Sequence, residues 1–270
     1  DLLEELAFEW LDREDTPRAT KLLRAALRSG ADETRLLGTL VELGLVDASP
    51  GERSAMLLRH AELARLQAAY PDAHCELDYT TPHELLIATI LSAQATDVGV
   101  NKATPALFNR FPAPADYVAS SPAEIEPYIR TIGLFRNKAR SIHEAMKALV
   151  DRYGGQVPGT MADLLTLRGV ARKTANVVLG NAFKINDGFV VDTHVDRLSG
   201  RLGLRPNGAT VQIIERHLMA LFSREAWCDV SHMLIFHGRR ACKARMGACS
   251  DHPICKKFGQ CCELERENGD

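Results

Sequence analysis

Leu164-Leu165-Thr166-Leu167-Arg168-Gly169-Val170-Ala171-Arg172-Lys173-Thr174-Ala175-Asn176-Val177-Val178 reads as a helix, a four-residue turn and a second helix. Gly169 can take the left-handed conformation that stops the first helix. The amides opening the second helix then point outward with the positive end of its dipole, a seat for phosphate. Contacts of this kind from Gly169, Val170, Ala171, Arg172 and Thr174 would position a duplex without reading its sequence. The bland alternative is an ordinary pair of packed helices, since one glycine between two helices is common.

Lys173 lies in the first turn of the second helix, where the dipole and the neighbouring Arg172 disfavour an added positive charge. A lysine that is partly neutral is a nucleophile able to form a Schiff base. A plain phosphate-binding lysine is the alternative. Further along, Val190-Val191-Asp192-Thr193-His194 sets a carboxylate at the end of an apolar run, where an N-cap would open a helix. Beside a reactive lysine, Asp192 could also stabilise positive charge developing on a sugar, or move protons.

Around this stretch, apolar residues recur at helical spacing, as in Leu85, Leu86, Thr89 and Ile90. Thr81-Pro82-His83-Glu84 supplies a cap, a proline at the first helical position and an early acid. Further helices are expected over 97–109, 121–129, 135–152, 161–167, 172–183, 192–202, 209–221 and 226–238. Gly188-Phe189-Val190-Val191 is read as an isolated extended segment, and the chain as all-α. Ala48-Ser49-Pro50-Gly51 breaks the pattern and sets off residues 1–54 as a helical N-terminal extension. Residues 31–47 resemble the recognition helix of a winged-helix module, but their acidic surroundings favour a small bundle.

The 270 residues are 46% hydrophobic and 25% charged, an ordinary globular composition. No apolar run approaches the roughly 20 residues that span a bilayer. The acidic start Asp1-Leu2-Leu3-Glu4-Glu5 does not read as a signal peptide, so a cytoplasmic protein without membrane contact is expected. The net charge of −2 conceals an asymmetry: residues 1–54 carry seven Lys and Arg against twelve Asp and Glu. Residues 263–270 add four acids against one Arg, which leaves a basic body between two acidic ends.

Five of seven cysteines, Cys242, Cys249, Cys255, Cys261 and Cys262, fall within 21 residues. Clustered thiols without a secretory signal point to a metal or cluster more than to disulfides. No close C-x2-C pair of the zinc-module kind is present.

Several separated motifs together resemble the endonuclease III branch of the helix-hairpin-helix DNA glycosylases. They are Ile90-Leu91-Ser92-Ala93-Gln94-Ala95-Thr96-Asp97, Ile132-Gly133-Leu134, residues 167–179, Val191-Asp192-Thr193-His194-Val195 and His237-Gly238-Arg239. The resemblance runs from about Ala55 to Cys262. It implies two helical domains with a DNA-binding cleft between them. Residues 75–186 would form a six-helix domain with the hairpin, and 55–74 with 187–270 an iron–sulfur domain. Lys173 resembles the family's Schiff-base lysine and Asp192 its catalytic aspartate. Gln94 resembles the residue that fills the space of an extruded base, and Leu134 the wedge in the opposite strand. Their bland readings are a helix cap and a core residue.

The resemblance also implies a [4Fe-4S] cluster on Cys242, Cys249, Cys255 and Cys261. The family's spacing is C-x6-C-x2-C-x5-C, whereas here the middle spacing is five residues. The enlarged loop costs little closure entropy, and ligation depends on geometry more than on a fixed count. Zinc is the competing occupant, Cys262 could replace Cys261, and His252 is near enough to be considered. Lys243 and Arg245 sit in the first of these loops, where a cluster would hold them against phosphates.

Arg168 and Ala171 stand where the family has Pro and Gly, which makes the turn less preset and adds a methyl group at the phosphate contact. The implied activity is a DNA glycosylase and AP lyase acting on oxidised pyrimidines in damaged double-stranded DNA, as a monomer at the nucleoid. A monofunctional glycosylase, a non-cleaving lesion-binding paralogue and an electron-carrying iron–sulfur protein are the rival readings.

Overall fold

The structure, a computed structural model, describes residues 63–244 and 252–258. The expected extension over 1–54, and Arg245, Cys249, Cys261 and Cys262, lie outside the described residues. Among those described, the secondary structure is helical and contains no strand. Ala73–Thr193 form one compact unit, and the described residues before Ala73 and from His194 onward belong to a second.

The first unit holds α1 (Pro82–Ser92), α2 (Asp97–Arg110), α3 (Pro114–Val118), α4 (Pro122–Ile129), α5 (Phe135–Tyr153), α6 (Met161–Leu164) and α7 (Arg172–Val178). Thr81 starts α1 by a capping box: its Oγ1 accepts from the Glu84 amide at 3.3 Å, and the Glu84 carboxylate accepts from the Thr81 amide at 3.2 Å. Every residue from Leu85 to Leu91 is buried, so α1 is apolar all round and forms the centre of this unit. The helices α2, α5 and α7 pack on it. The long amphipathic α5 buries Ile142, Met146 and Leu149 and also covers α3 and α4. Phe111, Tyr117 and Tyr128 close the far side, with ring centroids 4.9 and 5.7 Å from Phe111.

Two elements depart from the periodicity. The helix expected over 161–167 ends at Leu164, because the amides of Thr166 and Leu167 each bond three residues back, to Asp163 and Leu164. The helix expected over 172–183 is α-helical to Val178 and then widens into a π-helical turn, Leu179–Phe183, closed by Lys184 in the left-handed region. Residues 188–191 belong to no helix or strand.

The second unit holds a helical turn at 63–69, then α8 (Thr193–Arg201, whose first residue closes the first unit), α9 (Val211–Leu221), α10 (Trp227–Arg240) and α11 (Pro253–Phe258). Leu66, Val195, Leu198, Ile214, Leu218, Val230, Leu234 and Phe236 are buried in it. Gly238 lets α8 and α10 come close: a Cβ there would lie 2.9 Å from His194 Nδ1. Arg197 Nη2 secures the approach by donating to the carbonyls of Gly238 and Cys242, at 3.0 and 2.9 Å.

Candidate active site

The helix–turn–helix of the first unit is built around one closed turn. The Val170 amide donates to the Leu167 carbonyl at 3.1 Å, with Arg168 and Gly169 between them. Gly169 has φ +81°, the value a type II turn requires at its third residue. A Cβ there would also meet Ser141 Cβ at 3.0 Å and Ile90 Cγ2 at 3.6 Å, so the turn sits directly on α1 and α5. Gly169 and Ala171 are exposed, whereas Val170 turns its side chain into the core, leaving its backbone as the part that can face a ligand. Ala171 caps α7 in extended backbone, φ −97° and ψ 170°.

Arg172 and Lys173 are exposed in the first turn of α7, and Thr174 is half-buried. Asp192 is half-buried and directly precedes α8. The segment leading to it is fastened to α7 by Asn176, buried one turn beyond Lys173, whose Nδ2 donates to the Phe189 carbonyl at 3.4 Å. The lysine and the carboxylate are therefore carried by two segments joined within one unit.

Three non-glycine residues among those described have positive φ, and Gln94 and Leu134 are two of them. Gln94, at φ 55°, follows Ala93 (φ −58°, ψ 115°) in a tight turn closed by the Ala95 amide on the Ser92 carbonyl at 3.1 Å. It is exposed and lies beyond the cap of α1. Leu134, at φ 60° and ψ 26°, begins α5 and is 58% exposed. The core reading does not describe Leu134, whereas Gln94 does stand at a helix end, as the left-handed residue directly after the cap of α1. Left-handed backbone in side chains of this kind costs about 1 kcal/mol or more each, and it persists where the surroundings hold it.

In the second unit, Cys242 and Cys255 are 1% and 3% exposed, and their sulfurs and a ring nitrogen of His237 lie within 4.8 Å of one another. Arg201 Nη1 donates to Cys242 Sγ at 3.2 Å. His237 Nε2 is 3.1 Å from Cys255 Sγ, and its Nδ1 is 2.8 Å from the Tyr70 hydroxyl. Burial, with the nearby His252 ring, pushes His237 down to about 4, so the imidazole is neutral at pH 7. The tautomer that satisfies every group has Tyr70 donating to Nδ1 and Nε2–H donating to the sulfur. Two buried thiols, each facing a donor, suit cluster or metal ligands. Lys243, next to Cys242, is exposed.

Sequence reasoning missed Tyr70, Arg201 and the bonding role of His237. Tyr70 and His237 are 167 residues apart, so no local pattern could join them.

Residues 87–224 match the family model of the HhH-GPD superfamily base excision DNA repair proteins. The chain is 51% identical over 186 residues to endonuclease III of Synechocystis sp., covering 69% of this chain and 84% of the relative. The chain belongs to the endonuclease III family of helix-hairpin-helix DNA glycosylases. Endonuclease III of Bacillus subtilis is 42% identical, with 71% of this chain and 87% of that protein aligned. The solved structure of a trapped endonuclease III–DNA covalent intermediate superposes with a TM-score of 0.74 at 42% identity, over 78% of this chain and 98% of the other. A thermostable thymine-DNA glycosylase, at 22% identity and a TM-score of 0.63, shares the fold. Family membership makes this chain a base excision repair glycosylase. Among the described residues, no helix is long and apolar enough to cross a membrane.

Proposed function

We propose that the chain excises an oxidised pyrimidine from damaged double-stranded DNA and then cuts the strand as an AP lyase, with Lys173 as nucleophile and Asp192 beside it. The observation that carries this reading is the exposed Lys173 at the head of α7, joined through Asn176 and Phe189 to the segment ending in Asp192.

The chemistry balances on these two residues. The neutral Lys173 amine attacks the sugar carbon that bears the base, and the base departs with a proton as the C–N bond breaks. The sugar ring opens to an imine, loss of the adjacent carbon's proton expels the 3′ phosphate, and water releases the lysine. The Asp192 carboxylate stabilises the positive charge that grows on the sugar in the first step. Extrusion of the base leaves a gap, and the exposed Gln94 and Leu134 are the side chains that enter the duplex. Gly169, Val170, Ala171, Arg172 and Thr174 hold backbone phosphate.

Cys242 and Cys255, with Cys249 and Cys261, would hold a [4Fe-4S] cluster. When bound, it supplies a rigid anchor for the loop of Lys243 and Arg245 and takes no part at the sugar. The same reading has the protein acting as a monomer in the cytoplasm, on nucleoid DNA. Residues 75–186 would serve as the hairpin domain, 55–74 with 187–270 as the cluster domain, and 1–54 as a helical extension.

The test is borohydride trapping on duplexes holding thymine glycol or an abasic site. Lys173→Gln should abolish the covalent adduct and still bind the duplex. Asp192→Asn should slow base excision by about 100-fold or more. Trapping that survives Lys173→Gln would assign the chemistry to another amine.

A further inference from the structure

The helix α1 ends without a cation of its own: its last turn has no basic residue, and its cap, Ala93, is not left-handed. The negative end of its dipole is met from α5 instead. Lys138, 5% exposed, extends its Nζ to donate to the Leu91 carbonyl at 2.9 Å. The backbone amide of the same residue donates to the Leu134 carbonyl at 3.0 Å. One residue is thus bonded through its side chain to the turn that leads into Gln94, and through its main chain to Leu134.

Those two neighbours are the exposed left-handed residues of the site. A glycine at 94 would make the turn without strain, and a methionine at 138 would fill the space without burying an ammonium group. The chain carries the costlier choice at both positions. Burial does hold the Lys138 amine below its ordinary range, while the carbonyl-rich end of α1 receives its charge.

We propose that Lys138 is a positioning residue that sets the Gln94 turn against the Leu134 turn, so that the two side chains enter a damaged duplex together. This rests on the reading above that Gln94 and Leu134 enter the duplex. It goes beyond that reading by assigning their mutual placement to a buried lysine that touches no DNA.

A double-mutant cycle on the full-length protein tests it. The quantity measured is the affinity for a thymine-glycol duplex divided by that for the same duplex undamaged. Lys138→Met should lower this ratio about tenfold in the parent and leave it unchanged in a Gln94→Ala/Leu134→Ala background. Lys138→Arg, which keeps a donor, should retain most of the preference. An equal loss from Lys138→Met in both backgrounds would reduce Lys138 to general support and overturn the proposal. If Gln94→Ala/Leu134→Ala alone leaves the ratio at the parental value, the entry of those side chains fails first, and the proposal with it. Should Lys138→Met not fold, Lys138→Gln replaces it in the same cycle.

Discussion

Arg168 Nη1 lies 2.6 Å from Glu144 Oε1, tying the second residue of the hairpin turn to α5. A proline at this turn position would preset the backbone; here the guanidinium is held from outside the turn instead. Both side chains are 49% exposed, so the pair contributes less than about 1 kcal/mol to stability. Its effect on charge is larger, because Glu144 neutralises an arginine next to the backbone expected to meet phosphate. Glu144→Gln should therefore tighten binding to undamaged duplex about threefold at low salt and steepen the salt dependence by about one unit of slope. Fluorescence anisotropy across a salt series checks this. Equal affinities for parent and variant at every salt concentration would show that Arg168 does not reach phosphate.

Restoring the family pattern, Arg168→Pro with Ala171→Gly, removes a charge that Glu144 already offsets and a methyl group that lies exposed on extended backbone. The double variant should bind duplex DNA more tightly than the parent at all salt concentrations. Weaker binding throughout, least so at high salt, would mean that the charge of Arg168 outweighs the geometry of the turn.

Acid should loosen the start of α1. His83 Nδ1 sits 3.0 Å from Thr81 Oγ1, and burial holds the ring below its ordinary 6.5, against the opposing pull of the Glu84 charge and the Pro112 carbonyl. The unfolded chain takes up a proton near pH 6.5 and the folded chain only at lower pH. Stability from this group is thus present above pH 6.5 and is lost as pH falls from there through the folded value. His83→Gln should flatten that part of a urea-denaturation pH profile. An unchanged slope would locate the acid sensitivity elsewhere.

The proposed cluster makes a spectroscopic prediction. Purified protein should be brown and hold about four irons, and Cys242→Ser or Cys255→Ser should lower both colour and iron. Stoichiometric zinc with no visible absorbance would replace the cluster with a different centre.

Much of the first unit could be read from local chemistry. Thr81, Pro82 and Glu84 mark the start of α1, and Gly169 marks the hairpin turn, whose third residue needs positive φ, because caps and turns are decided by a few adjacent residues. The left-handed backbone at Gln94 and Leu134 could not be read this way. Neither residue type prefers it. The π-helical turn after Val178 was also hidden, since an added residue in one turn barely alters the apolar period. Most opaque was α5, where Lys138, Ser141 and Glu144 follow one another at three-residue steps along one strip. They reach the end of α1, the underside of Gly169 and the charge of Arg168, three partners far away in sequence.

The hydrogen bond from Tyr70 to His237 carries a consequence for the order of assembly. Ala73–Thr193 form an uninterrupted stretch, so that unit has all its residues once the ribosome passes Thr193. Tyr70 is synthesised earlier but waits through 167 further residues for its partner. The unit holding Cys242 and Cys255 therefore receives its last residues after the hairpin unit has all of its own. If the proposed cluster is built there, iron delivery becomes a late step of maturation, and a chain starved of iron would accumulate with Lys173 in place and its second unit unfinished.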